Sequence, residues 1–226
     1  MTIIPALQKQ KHRSGEAFKM QGQDFNVITD NERLLKVYKL IANKKGFLIT
    51  NTSSNKIQLF HDETLQDETY VLEVEKTISI KSNSYNGFIY GFQTLIKLLL
   101  ESNIIEAQTI KDFPFLEERA LHLDCGRKYF SFSWIKKLIE DLAWRNMNTL
   151  QLHFSDNKGF RIECDTYPSI TSEAFLSKKQ IRELIDYAHL FGIDVIPSLD
   201  SPGHLKAALE TLPKYQLPNN DGNGLD

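Results

Sequence analysis

With 226 residues, 41% hydrophobic and 25% charged, the chain can bury one large core or two modest ones, which excludes disorder as its default state. A formal net charge of −2 offers no basic excess to neutralise a phosphate backbone or anionic lipid; this argues against nucleic-acid and membrane partners and for a neutral small molecule. No segment reaches the roughly 18 apolar residues of a membrane span, and MTIIPALQKQKHRSG holds no apolar run of signal-peptide length, so the chain reads as cytoplasmic. Cys125 and Cys164 have neither zinc-type spacing nor disulfide-scaffold density and read as free thiols.

In the first hundred residues the hydrophobic period changes several times, the mark of mixed α and β structure. Leu34, Val37, Tyr38 and Ile41 fall at i, i+3, i+4, i+7, with Asp30 as cap and Gly46 as stop, and predict a helix. Strand-like runs follow at Phe47 to Thr50, Ile57 to Phe60, Tyr70 to Glu75 and Thr77 to Ser82. From Gly87 the spacing of Phe88, Phe92, Leu95 and Leu99 predicts a second helix, apolar on nearly every side and so buried against the sheet. Ile110 to Phe115 reads as a connector, because Pro114 forbids helix and restricts Phe113. The domain boundary is placed there, giving domains of residues 1–115 and 116–226.

Beyond it strands alternate with helices: Ala120 to Asp124, a helix from Ser133 to Arg145, Thr149 to His153, a helix from Lys178 to Phe191, then Asp194 to Ser198. The second of these helices opens on a Ser177/Gln180 capping box and stops at Gly192. Such βαβ units predict a parallel sheet. Each strand is followed by reactive side chains, Asp124 with Arg127, His153 with Asp156, and Asp200 with His204, which favours a (β/α)8 barrel over an open nucleotide-binding sheet. No glycine-rich phosphate loop follows any strand. A polar tail closes the sequence from Pro218.

Several of these residues admit two readings. Arg119, before the first of these strands, suits a bidentate grip on vicinal hydroxyls or a salt bridge to Glu117 or Glu118. Asp156 suits a carboxylate that orients a histidine or binds a hydroxyl, or an Asx turn with Asn157 and Gly159. His153 reads as a hydrogen-bonded core histidine. In IPSLDSPGH, Pro197 and Pro202 stiffen the loop, Gly203 permits a tight turn and His204 is held on the rim; Asp200 could cap a helix starting near His204.

RALHLDCGRKYFSFSWIKKLIEDLAWRNMNTLQLHFSDNKGFRIE resembles the opening of the catalytic barrel of glycoside hydrolase family 20, approximately RGxxLDxxRxF, then a helix, then NxxxxHxxDxxxxR; IPSLDSPGH resembles that family's IPExDxPGH. DETYVLEV, ISI and NGFIYGFQTLIKLL are similar to the small α/β domain that precedes the barrel. The resemblance implies an α/β protein, a small α+β domain followed by an incomplete (β/α)8 TIM barrel of about three strands. It implies β-N-acetylhexosaminidase activity by a substrate-assisted retaining mechanism, in which the sugar's own 2-acetamido oxygen attacks the anomeric carbon. Arg119 then matches the arginine that binds the terminal sugar, and Asp156 and His204 match a relay supporting the general acid. The substrate is a carbohydrate ending in N-acetylglucosamine or N-acetylgalactosamine, and no cofactor and no metal are implied.

The Asp-Glu pair that supplies the acid and its partner is not in this sequence, and Leu116 to Asp226 is under half of the about 250 residues of an ordinary barrel. The expectation is a fragment or a truncated frame, inactive alone. Ser198, Ala120, Gln151 and Phe160 depart from the family's usual glutamate, glycine, histidine and tryptophan. Two other readings use the same residues: a non-catalytic amino-sugar-binding module, and a metal-dependent barrel hydrolase with His122, His153, Asp156 and His204 as ligands.

Overall fold

The computed structural model describes residues 3–216. The polar tail from Pro218 lies outside the described residues. The chain divides into two compact units, Met1–Glu117 and Glu118–Asp226, of mixed α and β structure.

The first unit holds β1 (Lys9–His12), β2 (Phe18–Lys19), β3 (Asp24–Ile28), α1 (Glu32–Lys44), β4 (Leu48–Ile49), β5 (Lys56–His61), β6 (Tyr70–Val74), β7 (Ile78–Ser82), α2 (Tyr85–Glu101), β8 (Ile104–Ile105) and β9 (Gln108–Asp112). Seven strands form one sheet in the order β1-β9-β6-β7-β5-β3-β4, and β2 pairs with β8 separately. The pairs β1/β9, β9/β6 and β6/β7 are antiparallel; β7/β5, β5/β3 and β3/β4 are parallel.

Alternation along each strand puts Leu72, Val74, Ile78, Ile80 and Ile110 on the buried face of this sheet. The helix α2 packs against β6 and β7 and also against α1. Gly91 allows the close approach, since a Cβ there would lie 2.7 Å from the Ile80 side chain. Tyr38 of α1 stacks on Phe92 of α2 with ring centroids 4.0 Å apart and 7° between planes, and its hydroxyl donates to the Phe88 carbonyl at 2.7 Å. Such burial pushes the Tyr38 pKa well above its ordinary value, with the Tyr85 hydroxyl adding.

The second unit holds β10 (Ala120–Asp124), α3 (Phe132–Ala143), β11 (Thr149–His153), the hairpin β12 (Ser155–Asp156) and β13 (Gly159–Phe160), α4 (Lys178–Leu190), β14 (Asp194–Ser198) and the single turn α5 (Lys206–Leu209). The strands β10, β11 and β14 form a parallel sheet in that order, with register Asp124↔His153↔Ser198 at its C-terminal edge. Leu123, Leu150 and Leu152 occupy the buried face; His122, Gln151 and Ile196 form a row on the other, where His122 and Ile196 are exposed. The capping box of α4 is present, with Ser177 accepting from the Gln180 backbone and Gln180 from the Ser177 backbone.

Three local expectations are corrected. The cap of α1 is Asn31, not Asp30: its carboxamide oxygen reaches the Leu34 N–H at 2.9 Å. Ile110 to Asp112, read as connector, belongs to β9, since the restriction imposed by Pro114 reaches back only to Phe113. The tight turn expected at Gly203 has its positive φ at His204 instead, at +60°.

Candidate active site

The turn after β10 reverses against β11: the N–H groups of Cys125 and Gly126 both donate to the His153 carbonyl, at 2.8 and 3.0 Å. This brings the turn so close to the hairpin that a Cβ on Gly126 would lie 2.8 Å from the Asp156 nitrogen and 2.9 Å from its Cβ. Arg127 follows directly. Its N–H donates to Asp124 at 3.0 Å, and its Nε lies 3.2 Å from Asp124 Oδ2 and 3.1 Å from Asp156 Oδ2. Cys125 is buried beneath this turn as a free thiol, and burial, with the Asp124 charge adding, pushes its pKa up to about 12.

Asp156 is only 5% exposed and carries three tasks. Its carboxylate is stabilised by the nearby backbone N–H of Lys158, two residues on. It also takes Arg127 Nε, and it lies 3.4 Å from His204 Nδ1. One buried carboxylate thus faces Lys158, Arg127 and His204 together. Burial raises the Asp156 pKa, but the Arg127 hydrogen bond and charge, His204 and Lys158 together outweigh it, and the net shift is downward. The same bond and charge from Asp156, helped by Asp124, raise that of Arg127.

The loop after β14 is tied to the hairpin at two points: Ser155 Oγ accepts from the Asp200 N–H at 2.8 Å, and Asn157 Oδ1 accepts from the Lys206 N–H at 3.2 Å. His204 lies between these ties. Its side chain is about half exposed, so the imidazole edge away from Asp156 faces outward. Beside it a second pair forms: His153 Nε2 is 3.4 Å from Asp200 Oδ2, and His153 Nδ1 is 3.0 Å from Ser198 Oγ. Asp200 thus faces His153, and α5 has no side-chain cap. His153 is buried, and its ring lies 5.3 Å from that of His122. Among the described residues no group of three His, Cys, Asp or Glu side chains converges to hold a metal ion.

The structure brings Asp156 and His204 together and leaves Arg119 elsewhere. Arg119 precedes β10, and five strand residues span about 16 Å, so it lies at the N-terminal end of a parallel sheet whose loops carry Asp156 at the other. There its N–H donates to Asn148 Oδ1 at 2.9 Å and its Nε to the Asn146 carbonyl at 2.6 Å, fastening the connection between α3 and β11. The expected sugar-binding position for Arg119 is corrected on this ground. The arginine beside Asp156 is Arg127, the second arginine of RALHLDCGR, and strand polarity was the signal that separates the two.

The depressed Asp156 pKa makes stability depend on pH. A carboxyl held below its unfolded value of about 3.9 stabilises fully above that value and loses its contribution as pH falls through the folded pKa. Urea midpoints of wild type and Asp156→Asn are expected to differ by a constant amount above about pH 5 and to converge as pH falls below about 4. A difference independent of pH down to acid unfolding would contradict this electrostatic account.

Residues 1–113 match the family description "Glycosyl hydrolase family 20, domain 2", and residues 116–223 match "Glycosyl hydrolase family 20, catalytic domain". A β-hexosaminidase of Vibrio furnissii is 31% identical over 194 residues, covering 74% of this chain and 32% of the relative. One from Porphyromonas gingivalis is 29% identical over 249 residues, covering 95% and 32%. Among solved structures, the chain is similar to an exo β-N-acetylglucosaminidase mutant of Vibrio harveyi, with TM-score 0.85, 25% identity and 99% and 42% of the two chains covered. It is also similar to a β-N-acetylhexosaminidase of Bacteroides fragilis, with TM-score 0.83, 27% identity and 100% and 50% covered. The chain spans about a third of the length of these curated relatives and half or less of these solved structures. On both of its units, then, the chain belongs to glycosyl hydrolase family 20.

Proposed function

We propose that this chain supplies the small domain and the first part of a (β/α)8 barrel of an exo-acting β-N-acetylhexosaminidase, and that Asp156 and His204 are the relay behind its general acid. The observation that carries the reading is the convergence of Arg127, Asp156 and His204 at the C-terminal edge of a parallel sheet, the end at which barrel enzymes gather their sites. Asp156 anchors His204 through Nδ1, which leaves Nε2 directed outward to a carboxylic acid that must give and recover a proton. Arg127, with its side chain 60% exposed and its charge fixed by two carboxylates, takes the role of hydroxyl clamp that the resemblance had implied for Arg119. The substrate is a glycan ending in an N-acetylhexosamine. One similar protein, a Streptomyces plicatus β-hexosaminidase mutant, was solved in complex with its product GlcNAc.

The acid itself is not in the sequence, and the chain alone is inactive on this reading. Assayed on p-nitrophenyl N-acetyl-β-glucosaminide, the 226-residue chain is expected to release no nitrophenol above buffer. The coding DNA read past the Asp226 codon is expected to supply an Asp-Glu pair after a strand-like run, and the longer product to turn over. In that product His204→Ala lowers kcat by about 10²-fold or more, and Asp156→Asn acts in the same direction. Unrelated DNA downstream, or a longer product without turnover, would overturn the enzymatic reading while leaving the family membership in place.

A further inference from the structure

The exposed face of the sheet in the first unit holds charges that the site does not use. β1 is an edge strand paired only to β9, and all four of its residues are exposed. The register sets Lys9 directly opposite Lys111 and Lys11 opposite Thr109. Side chains two apart share a face, so Lys9, Lys11 and Lys111 project together, with roughly 7 Å between neighbours along the strand and about 5 Å across it. Like charges directly opposed on a sheet are unfavourable. Arg13 continues the row but is held near Glu73 and Glu75, at 3.9 and 3.6 Å, and Lys81 pairs with Glu73 at 2.9 Å. Asp62 feels Lys81 and Lys111 in its lowered pKa, after the hydrogen bonds from Thr64. No carboxylate among the described residues forms an ion pair with Lys9, Lys11 or Lys111.

These lysines line a groove of about 530 Å³ with Gln10, His12, Arg13, Ser14 and Thr109. With a whole-chain charge of −2, this is a local feature and not a general affinity for anions. From this we propose that the β1/β9 groove binds an extended anionic glycan, through sulfate or carboxylate groups set between the opposed lysines. An anion there relieves the repulsion between Lys9 and Lys111 instead of competing with an existing pair. A groove admits a narrow chain and not a flat membrane. Nucleic acid fits less well, because β1 and β9 carry no Phe, Tyr or Trp for a base to stack on, and His12 alternates away from the face of Lys9, Lys11 and Lys111.

The probe is heparin, titrated calorimetrically into the intact chain at moderate salt, with inorganic sulfate and a single-stranded oligonucleotide in parallel. Wild type is expected to bind heparin, and the triple variant Lys9→Gln, Lys11→Gln, Lys111→Gln to bind about tenfold or more weakly, as the loss of three exposed ion pairs allows. The triple variant should unfold at the wild-type temperature or above it, because it loses repulsion. A charge-matched control, Lys19→Gln, Lys36→Gln, Lys39→Gln, should bind as wild type does. Absence of heparin binding, equal binding by the triple variant, or weakening to the same degree in the control would overturn the site. Tighter binding of the oligonucleotide would overturn its assignment to a glycan, and sulfate binding as tightly as heparin would overturn the extended chain. None of these measurements uses turnover, so they stand apart from the test of the enzymatic reading.

Discussion

Replacing Phe92 by alanine is expected to destabilise the first unit by about 3–5 kcal/mol, the range for deleting a large aromatic from a packed core. Phe92 is fully buried in α2, stacked at 4.0 Å on Tyr38 and edge-on to Phe25 at 6.4 Å. It therefore joins helix to helix and both to the sheet. The void cannot close easily, because Tyr38 is held in place by its bond to the Phe88 carbonyl. Urea unfolding, read together with amide exchange of β6 and β7, measures the loss. A cost below about 1.5 kcal/mol would mean that α1 collapses onto the sheet and that the stack is not the organising contact.

The second large effect is expected from Gly126→Ala. The three atoms nearest the new methyl are the Ser155 carbonyl carbon and the Asp156 nitrogen and Cβ, at 2.8 to 2.9 Å, so the closest clashes are not with the far end of a flexible side chain. The turn must retreat from the hairpin, at a cost of at least about 1–3 kcal/mol for overpacking, and Arg127 moves with it. The variant should lose thermal stability and also the acid-dependent contribution of Asp156, since the Arg127 bond is what holds that carboxyl ionised. Gly203→Ala provides the contrast. Nothing lies within 4 Å of its added carbon, and its unfolding midpoint is expected to stay within the equivalent of about 0.5 kcal/mol of wild type. A silent Gly126→Ala would show that the turn has room the geometry denies it.

What could be read in the sequence follows from how strongly each residue's surroundings restrict it. The strands from Ala120 and Thr149 were readable because apolar residues alternate along them, and the strand from Asp194 because it follows a helix whose start the Ser177/Gln180 box fixes and whose end Gly192 marks. The strand β1, written Lys-Gln-Lys-His, has no apolar alternation, since an edge strand exposed on all four residues takes its place only from its pairing with β9. Asp30 and Asn31 are both competent caps, and only the distance to Leu34 separates them. At the site, the closeness of Asp156 to His204 follows from motifs that sit after the adjacent strands β11 and β14. Arg119 was misplaced by motif order alone, although a residue that precedes a parallel strand lies at the end opposite to the loops that follow. The pairing of His153 with Asp200 left no trace in sequence spacing, since 47 positions separate them and only the adjacency of β11 and β14 unites them.

His204 holds its backbone at φ +60°, a conformation that costs a non-glycine residue about 1–3 kcal/mol and persists only where its surroundings insist on it. The insistence comes from the ties of Asp200 to Ser155 and of Lys206 to Asn157 on either side. The direction of the imidazole is thus set when the chain folds and not when a ligand arrives. Whatever settles beside Asp156 meets a ring already oriented, and the entropy of arranging it has been charged to folding instead of to recognition.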